Sequence, residues 1–122
     1  NIPYNGMTVA LNTTTNKLMA NADTRLLLRE MMLEVIRAAN SIGLKYAIDE
    51  TYADKMLEMT EVMTPYSPSM KLDFDFRRPL EIEYIYSRPI QEAEKTGYDM
   101  VRVSMLEKQL RFIESQYSSE QF

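Results

Sequence analysis

The stretch SPSMKLDFDFRRPLEIEYI, residues 67–85, reads as the junction of two helices. Pro79 is a residue favoured in the first turn of a helix, because the N–H it lacks would have no partner there. Between Pro68 and Pro79 lie Asp73, Asp75 and two arginines, a local ion-pair cluster of the kind that contributes about 0–1 kcal/mol per exposed pair. We predict a short helix over about 68–75 and a second helix from Pro79 onward.

Helical spacing of apolar residues continues on both sides of this junction. Gly43 and Gly97 are placed as C-terminal stops, and Pro89 predicts a kink or break in the helix from Pro79 to Thr96. The remaining segments are a helix end at 1–12, a polar connector at 13–17, a helix capped by Asn21 or Asp23, a helix capped by Asp49 and ended by Pro65, and a last helix over about 101–118. The fold class predicted is all-α, a compact bundle of five to six helices.

Composition restricts the classes of function. At 122 residues the chain has the size of one domain, and 18 acidic against 14 basic residues, a net charge of −4, argue against a nucleic-acid partner. Without cysteine or histidine there is no disulfide, and no metal site is predicted. A cysteine-free chain fits a reducing compartment, so we expect a cytoplasmic protein. No apolar run approaches the roughly 20 residues of a membrane span.

Asn1 and Asn5 are four residues apart, so on a helix they share one face. Paired amides can bind a small polar ligand, although asparagines near a chain end are usually just solvated. Gly6 beside them would let another group approach the backbone closely.

Ser69 and Glu81 each allow two interpretations. Ser69 follows Pro68 at a helix start, where it could cap the helix or help hold a carboxylate. Glu81 could complement the helix dipole in the first turn after Pro79 or accept hydrogen bonds from hydroxyl groups. Spacing alone decides neither case.

Taken together, NIPYN (1–5), SMKLD (69–73) and RRPLEIEYI (77–85) resemble the ketopantoate reductase family, over essentially the whole chain. The likeness is to the C-terminal helical domain, so that residues 1–122 would be one domain of a larger enzyme. It implies a separate N-terminal Rossmann domain that binds NADPH, and hydride transfer from the cofactor to a 2-keto acid in pantothenate biosynthesis.

The resemblance also implies roles for single residues. Asn1, Asn5 and Ser69 match substrate-binding positions, and Thr15 falls where another substrate-contacting residue often occurs. Glu81 matches the glutamate that accepts hydrogen bonds from active-site hydroxyls, including the nicotinamide ribose. The general-acid lysine is expected four residues before Asn1, so no catalytic residue lies in this chain, and the chain alone is expected to be inactive.

Three departures from the family pattern bear on the substrate. Tyr86-Ser87 stands where many members carry Asn-Gly, Val101 replaces a proline at the start of the last helix, and Pro3 is expected to distort the asparagine helix. A reductase of the same architecture for another keto acid is therefore one alternative. A helical interaction module is the other, and it predicts that Asn5, Ser69 and Glu81 scatter over the surface and that an apolar patch is exposed elsewhere. A homodimer through the face left by the missing domain is also considered.

Overall fold

The computed structural model describes residues 2–63 and 67–120, with side chains as far as Tyr117. Seven α-helices make up this part of the chain, and none of its residues lies in a strand, so the predicted all-α class is confirmed. The helices are α1 Ile2–Ala10, α2 Thr15–Ala20, α3 Ala22–Ile42, α4 Tyr52–Glu61, α5 Ser69–Asp75, α6 Arg88–Lys95 and α7 Val101–Glu120, and a π-helical turn at Glu83–Ser87 leads directly into α6.

The predicted count of five to six helices was too low, because α2 begins inside the supposed connector at 13–17. A helix of six residues is too short to show a helical period. Leu18 and Met19 of α2 are buried nonetheless. Contacts with α3 and α4 therefore stabilise a segment whose local sequence is mostly polar.

The long helix α3 has the boundaries that its sequence predicts. Asn21 Oδ1 accepts hydrogen bonds from the N–H groups of Asp23 (2.9 Å) and Thr24 (3.2 Å), and Gly43 ends the helix with φ 92°. Leu28, Met31, Met32 and Ile36 of α3 point into the core. The helix thus forms a spine against which α1, α2, α4, α6 and α7 pack.

Helix α1 runs through the middle of the domain, with every residue from Pro3 to Val9 buried. Pro3 is helical and buried within α1. A proline acts on the carbonyl four residues before it, which for Pro3 lies outside the described residues, so its distortion of the helix stays a prediction. The expected close approach at Gly6 is confirmed, since a Cβ there would lie 2.5 Å from Tyr86 Oη and 2.9 Å from Leu106 Cγ.

Two other helix starts differ from the predictions. The helix expected to be capped by Asp49 begins at Tyr52 with Thr51 at its N-cap, and Asp49 Oδ1 accepts a 2.8 Å hydrogen bond from the Thr51 N–H in the preceding turn. The helix expected from Pro79 begins only after Glu81, whose φ is 57°. Pro79 and Leu80 are non-helical, although Leu80 is fully buried in the core.

The helix break predicted at Pro89 is not found there. The distortion lies one turn upstream, where the five residues Glu83–Ser87 form the π turn. A π turn widens the helix, and such bulges relieve the conflict between a proline ring and the carbonyl four residues before it. Pro89 is thus the second residue of α6 and follows directly on the π turn.

Candidate functional site

Asn5 joins α1 to the start of α5. Its side chain is 8% exposed, and Oδ1 accepts a 3.3 Å hydrogen bond from the N–H of Met70, the second residue of α5. Within the described residues the amide nitrogen Nδ2 donates no hydrogen bond. The carbonyl half of the amide is therefore used by the fold, and the donor half remains for a ligand.

Ser69 lies beside this contact, so the structure brings two of the predicted site residues together. It is the first residue of α5 and its side chain is exposed. The capping interpretation of Ser69 was wrong, because Pro68 occupies the N-cap position and the Ser69 hydroxyl makes no cap hydrogen bond. Asn5 supplies the cap in its place, which leaves the serine hydroxyl free to contact a bound molecule.

Glu81 lies in the turn between α5 and the π turn, on a strained backbone. Its neighbours Leu80 and Ile82 are buried, whereas Glu81 itself is exposed. No hydrogen bond or ion pair engages its carboxylate in the described part of the chain. Glu81 directly precedes the helix with a left-handed φ, and its carbonyl accepts a 3.1 Å hydrogen bond from the Ile85 N–H, so the helix-dipole interpretation stays open beside the functional one.

The helix that follows Glu81 is fixed to the asparagine helix by Tyr86. The Tyr86 side chain is fully buried, and its hydroxyl donates a hydrogen bond to the carbonyl of Ile2. Burial raises the pKa of Tyr86 well above its usual value. The departures at Tyr86 and Ser87 are thus core features, since Ser87 is also buried and hydrogen-bonds Glu107.

Asp73 is structural, as the sequence suggested for it. Its carboxylate forms a 3.1 Å ion pair with Arg78 Nε, and its carbonyl accepts a 2.7 Å hydrogen bond from the Arg78 N–H. Asp75 pairs instead with Lys71 inside α5. Both pairs brace the short helix that carries Ser69.

The other two predicted substrate-binding residues are not brought to this place by any described contact. Thr15 begins α2 and is 2% exposed, and its buried hydroxyl has no hydrogen-bond partner among the described residues. Asn1 lies outside the described residues. Thr15 and Asn1 stay predictions of the family resemblance.

A large apolar groove lies away from the candidate residues. It has a volume of about 640 Å³ and is lined by Leu11 and by residues of α1, α3 and α7 that include Met7, Met105 and Phe112. Met7 points about 200° around α1 from Asn5, because each helical residue turns the chain by about 100°. The groove and the Asn5 amide therefore occupy opposite faces of the same helix.

The described residues show neither a metal-binding cluster nor a membrane-spanning helix. In residues 2–63 and 67–120, no group of three or more acidic side chains is arranged to hold a metal ion. No helix there combines the length and apolar character needed to cross a bilayer.

Comparison with known proteins decides the family. The family model described as "Ketopantoate reductase PanE/ApbA C terminal" matches residues 1–114. The chain belongs to the ketopantoate reductase family. It is also 41% identical over 114 residues to a 2-dehydropantoate 2-reductase of Nostoc sp. (strain PCC 7120 / SAG 25.82 / UTEX 2576), an alignment that covers 93% of this chain and 35% of the relative.

Solved ketopantoate reductases share the fold. The 2-dehydropantoate 2-reductase of Geobacter metallireducens GS-15 superposes with a TM-score of 0.89 at 42% identity, over 91% of this chain and 37% of that one. A ketopantoate reductase of Staphylococcus aureus described as dimeric gives a TM-score of 0.82 at 25% identity, over 96% and 40%. The chain thus spans little more than a third of the length of these relatives, as expected for a C-terminal helical domain.

The sequence did not reveal which side chains hold the candidate residues in place. Tyr86, Glu114 and Tyr117 each bind backbone of a segment that carries one of them. Their partners lie 34 to 84 residues away in the chain. No local pattern signals such a contact.

Proposed function

We propose that the protein containing this chain is an NADP-dependent 2-dehydropantoate 2-reductase, and that residues 1–122 are its substrate-binding C-terminal domain. The family match over nearly the whole chain supports the activity. The hydrogen bond from the Met70 N–H to Asn5, next to Ser69 at the start of α5, is the structural observation that supports the site. The product would be the 2-hydroxy acid pantoate, and the cytoplasm is the compartment proposed for a cysteine-free enzyme.

In this proposal the chain supplies binding and orientation. Asn5 offers its Nδ2 donors and Ser69 its hydroxyl to the substrate, with Asn1 and Thr15 as further substrate contacts. Hydrogen bonds from fixed donors hold a keto acid in one orientation, which lowers the entropic cost of reaching the transition state.

Glu81 fits the cofactor side of the site. An exposed carboxylate without a protein partner can accept two hydroxyl hydrogen bonds, which is what a ribose diol requires. A nicotinamide cofactor would supply the hydride, and most of its binding belongs to the Rossmann domain. The general acid would be the lysine expected four residues before Asn1, so both domains are needed to complete the site.

Activity of the full-length protein tests this proposal. We expect it to oxidise NADPH in the presence of 2-dehydropantoate, with NADH much less effective, and residues 1–122 alone to show no turnover. The variant Ser69→Ala should weaken the binding of the substrate. Ser41→Ala, which replaces an exposed serine near the end of α3, serves as the matched control.

Two outcomes would contradict the proposal. Turnover by residues 1–122 alone would show that the Rossmann half and the lysine are dispensable. If the full-length protein reduces another 2-keto acid at a higher kcat/KM, the proposed reductase activity stands but the proposed substrate is wrong.

The apolar groove lined by Met7, Met105 and Phe112 is the exposed apolar surface that a non-catalytic interaction module would predict, whereas the family match supports the reductase. The proposed partners are a small 2-keto acid and the Rossmann domain of the same protein. A homodimer, as described for the Staphylococcus aureus relative, stays a prediction for this protein.

A further inference from the structure

The turn that carries Glu81 is conformationally strained. Arg77 has φ 58° and Glu81 has φ 57°, both in the left-handed region that residues with a Cβ avoid. Each such residue costs about 1 kcal/mol or more, and it persists only where the surroundings hold it. Something other than local preference must therefore fix residues 78–81, which we call the Glu81 turn.

Two side chains of α7 hold the Glu81 turn by its backbone. Glu114 Oε2 accepts a 2.7 Å hydrogen bond from the N–H of Leu80, and Tyr117 Oη donates a 2.6 Å hydrogen bond to the carbonyl of Arg78. Glu114 and Tyr117 are three residues apart, so they stand on one face of α7. One helix thus grips the turn at two points.

These two hydrogen bonds involve only the backbone of the turn and leave the Glu81 carboxylate free. Leu80 and Ile82, on either side, are 0% and 4% exposed and anchor the chain in the core, while Glu81 faces outward without a partner in the described residues. Fixed backbone with an unengaged acceptor is the arrangement that a preorganised binding group requires.

We propose that Glu114 and Tyr117 are positioning residues for Glu81 and set the direction in which its carboxylate meets the cofactor. This inference rests on the proposed function, because Glu81 has a cofactor role only in the reductase. It adds two residues from the last helix to a site otherwise built from α1, α5 and the Glu81 turn.

Steady-state kinetics of the full-length protein separate positioning from simple support of the fold. We expect Glu114→Ala to lower kcat/KM for NADPH about tenfold, the size of effect expected when a binding group is misplaced. Glu114→Gln should stay within about threefold of the parent, because its amide oxygen can still accept the Leu80 N–H. Tyr117→Phe, which removes one hydroxyl and keeps the ring, should lower kcat/KM about threefold to tenfold.

Glu107 provides the matched control. It lies on the same helix, and its Oε2 accepts a 2.5 Å hydrogen bond from Ser87, away from the Glu81 turn. Glu107→Ala should lower the thermal stability much as Glu114→Ala does and leave kcat/KM for NADPH unchanged.

The deciding comparison uses a Glu81→Ala background. If Glu114 acts through Glu81, then Glu114→Ala should change kcat/KM less than twofold once Glu81 is gone, because the two effects are not additive. An equal loss of kcat/KM in the wild-type and Glu81→Ala backgrounds, or no loss in the wild-type background, would overturn the inference. Either result would leave the proposed reductase activity intact. A wild-type protein without reductase activity would remove the proposed function and this inference together.

Discussion

The starts of α7 and α5 are both capped by a side chain from another helix, but they are capped differently. At α7, the carboxylate of Glu34, 4% exposed, accepts hydrogen bonds from the N–H groups of Arg102 (2.9 and 3.0 Å) and Val103 (3.2 Å). At α5, the neutral amide of Asn5 accepts one hydrogen bond of 3.3 Å from Met70.

The difference separates a structural junction from a place where a ligand can bind. A buried carboxylate with several donors compensates the positive end of its helix and uses its acceptors within the fold. An amide that caps with its oxygen keeps its two N–H donors, and the exposed Ser69 next to it keeps its hydroxyl. Four variants or conditions test this contrast.

Loss of the Glu34 carboxylate should have the largest effect. Glu34→Ala leaves buried N–H groups at the start of α7 unpaired, and we expect the free energy of unfolding to fall by about 3 kcal/mol. Urea denaturation of the chain, followed by circular dichroism, measures it. Glu30→Ala is the control, because Glu30 also pairs with Arg102 but is more exposed, and its loss should cost less than about 1 kcal/mol. If both variants lose the same free energy of unfolding, the Glu34 cap of α7 contributes no more stability than an exposed ion pair.

Replacement of Asn5 should separate its two functions. Asn5→Ala removes the cap and the donors, and should cost about 1 kcal/mol of stability and about tenfold in kcat/KM for the keto acid. Asn5→Asp keeps an oxygen for the Met70 N–H but loses the N–H donors, so it should lose the activity and retain most of the stability. The full-length protein serves for kinetics and thermal melts. An active Asn5→Asp variant would show that the donors are not used.

Ser69→Ala should have little effect on folding. The hydroxyl is exposed and caps nothing, so the stability should stay within about 0.5 kcal/mol. The KM for the keto acid should rise about fivefold to tenfold if the hydroxyl binds it. A stability loss above 1 kcal/mol would restore the capping role that the structure does not show.

Acid should weaken a third helix start, that of α4, by a smaller amount. Hydrogen bonds from Thr51, Arg37 and Arg29 lower the pKa of Asp49, Glu50 and Asp54, respectively. Groups whose pKa is lower in the folded state contribute stability above their unfolded pKa of about 4, and lose it as the pH falls through the folded value. The urea concentration at the unfolding midpoint should therefore decrease when the pH is lowered below about 4.

The double variant Glu50→Gln/Asp54→Asn is the control for acid. It removes two of the three titrating groups, and its urea midpoint should depend less on pH over the same range. A parallel decline in parent and variant would assign the acid sensitivity to other carboxylates.

The sequence predicted the features that depend on local chemistry. The Asn21 cap, the Gly43 stop and the close approach at Gly6 follow from single residue types with strong conformational preferences. The all-α class follows from the apolar period. For the same reason, the six-residue α2 was missed, since its burial comes from neighbours far along the chain.

The conformations of the candidate site residues could not be predicted from the sequence, because they depend on contacts with residues far away in the chain. Asn5 caps α5 from 65 residues away, and therefore Ser69 is free although its position is that of an ordinary cap. Glu81 was placed inside a helix because Pro79 is a good first-turn residue, whereas contacts with α7 hold the chain in a non-helical turn up to Glu81. Family motifs indicated these residues, but their conformations depend on the packing.

The π turn at Glu83–Ser87 has a consequence for comparing this protein with its relatives. A π turn corresponds to one residue inserted into an α-helix. A relative with a regular helix would match the chain before Glu83 and after Ser87 only if a one-residue gap is opened between them. Position-by-position alignment of the Tyr86-Ser87 pair with Asn-Gly would otherwise compare side chains that face different directions.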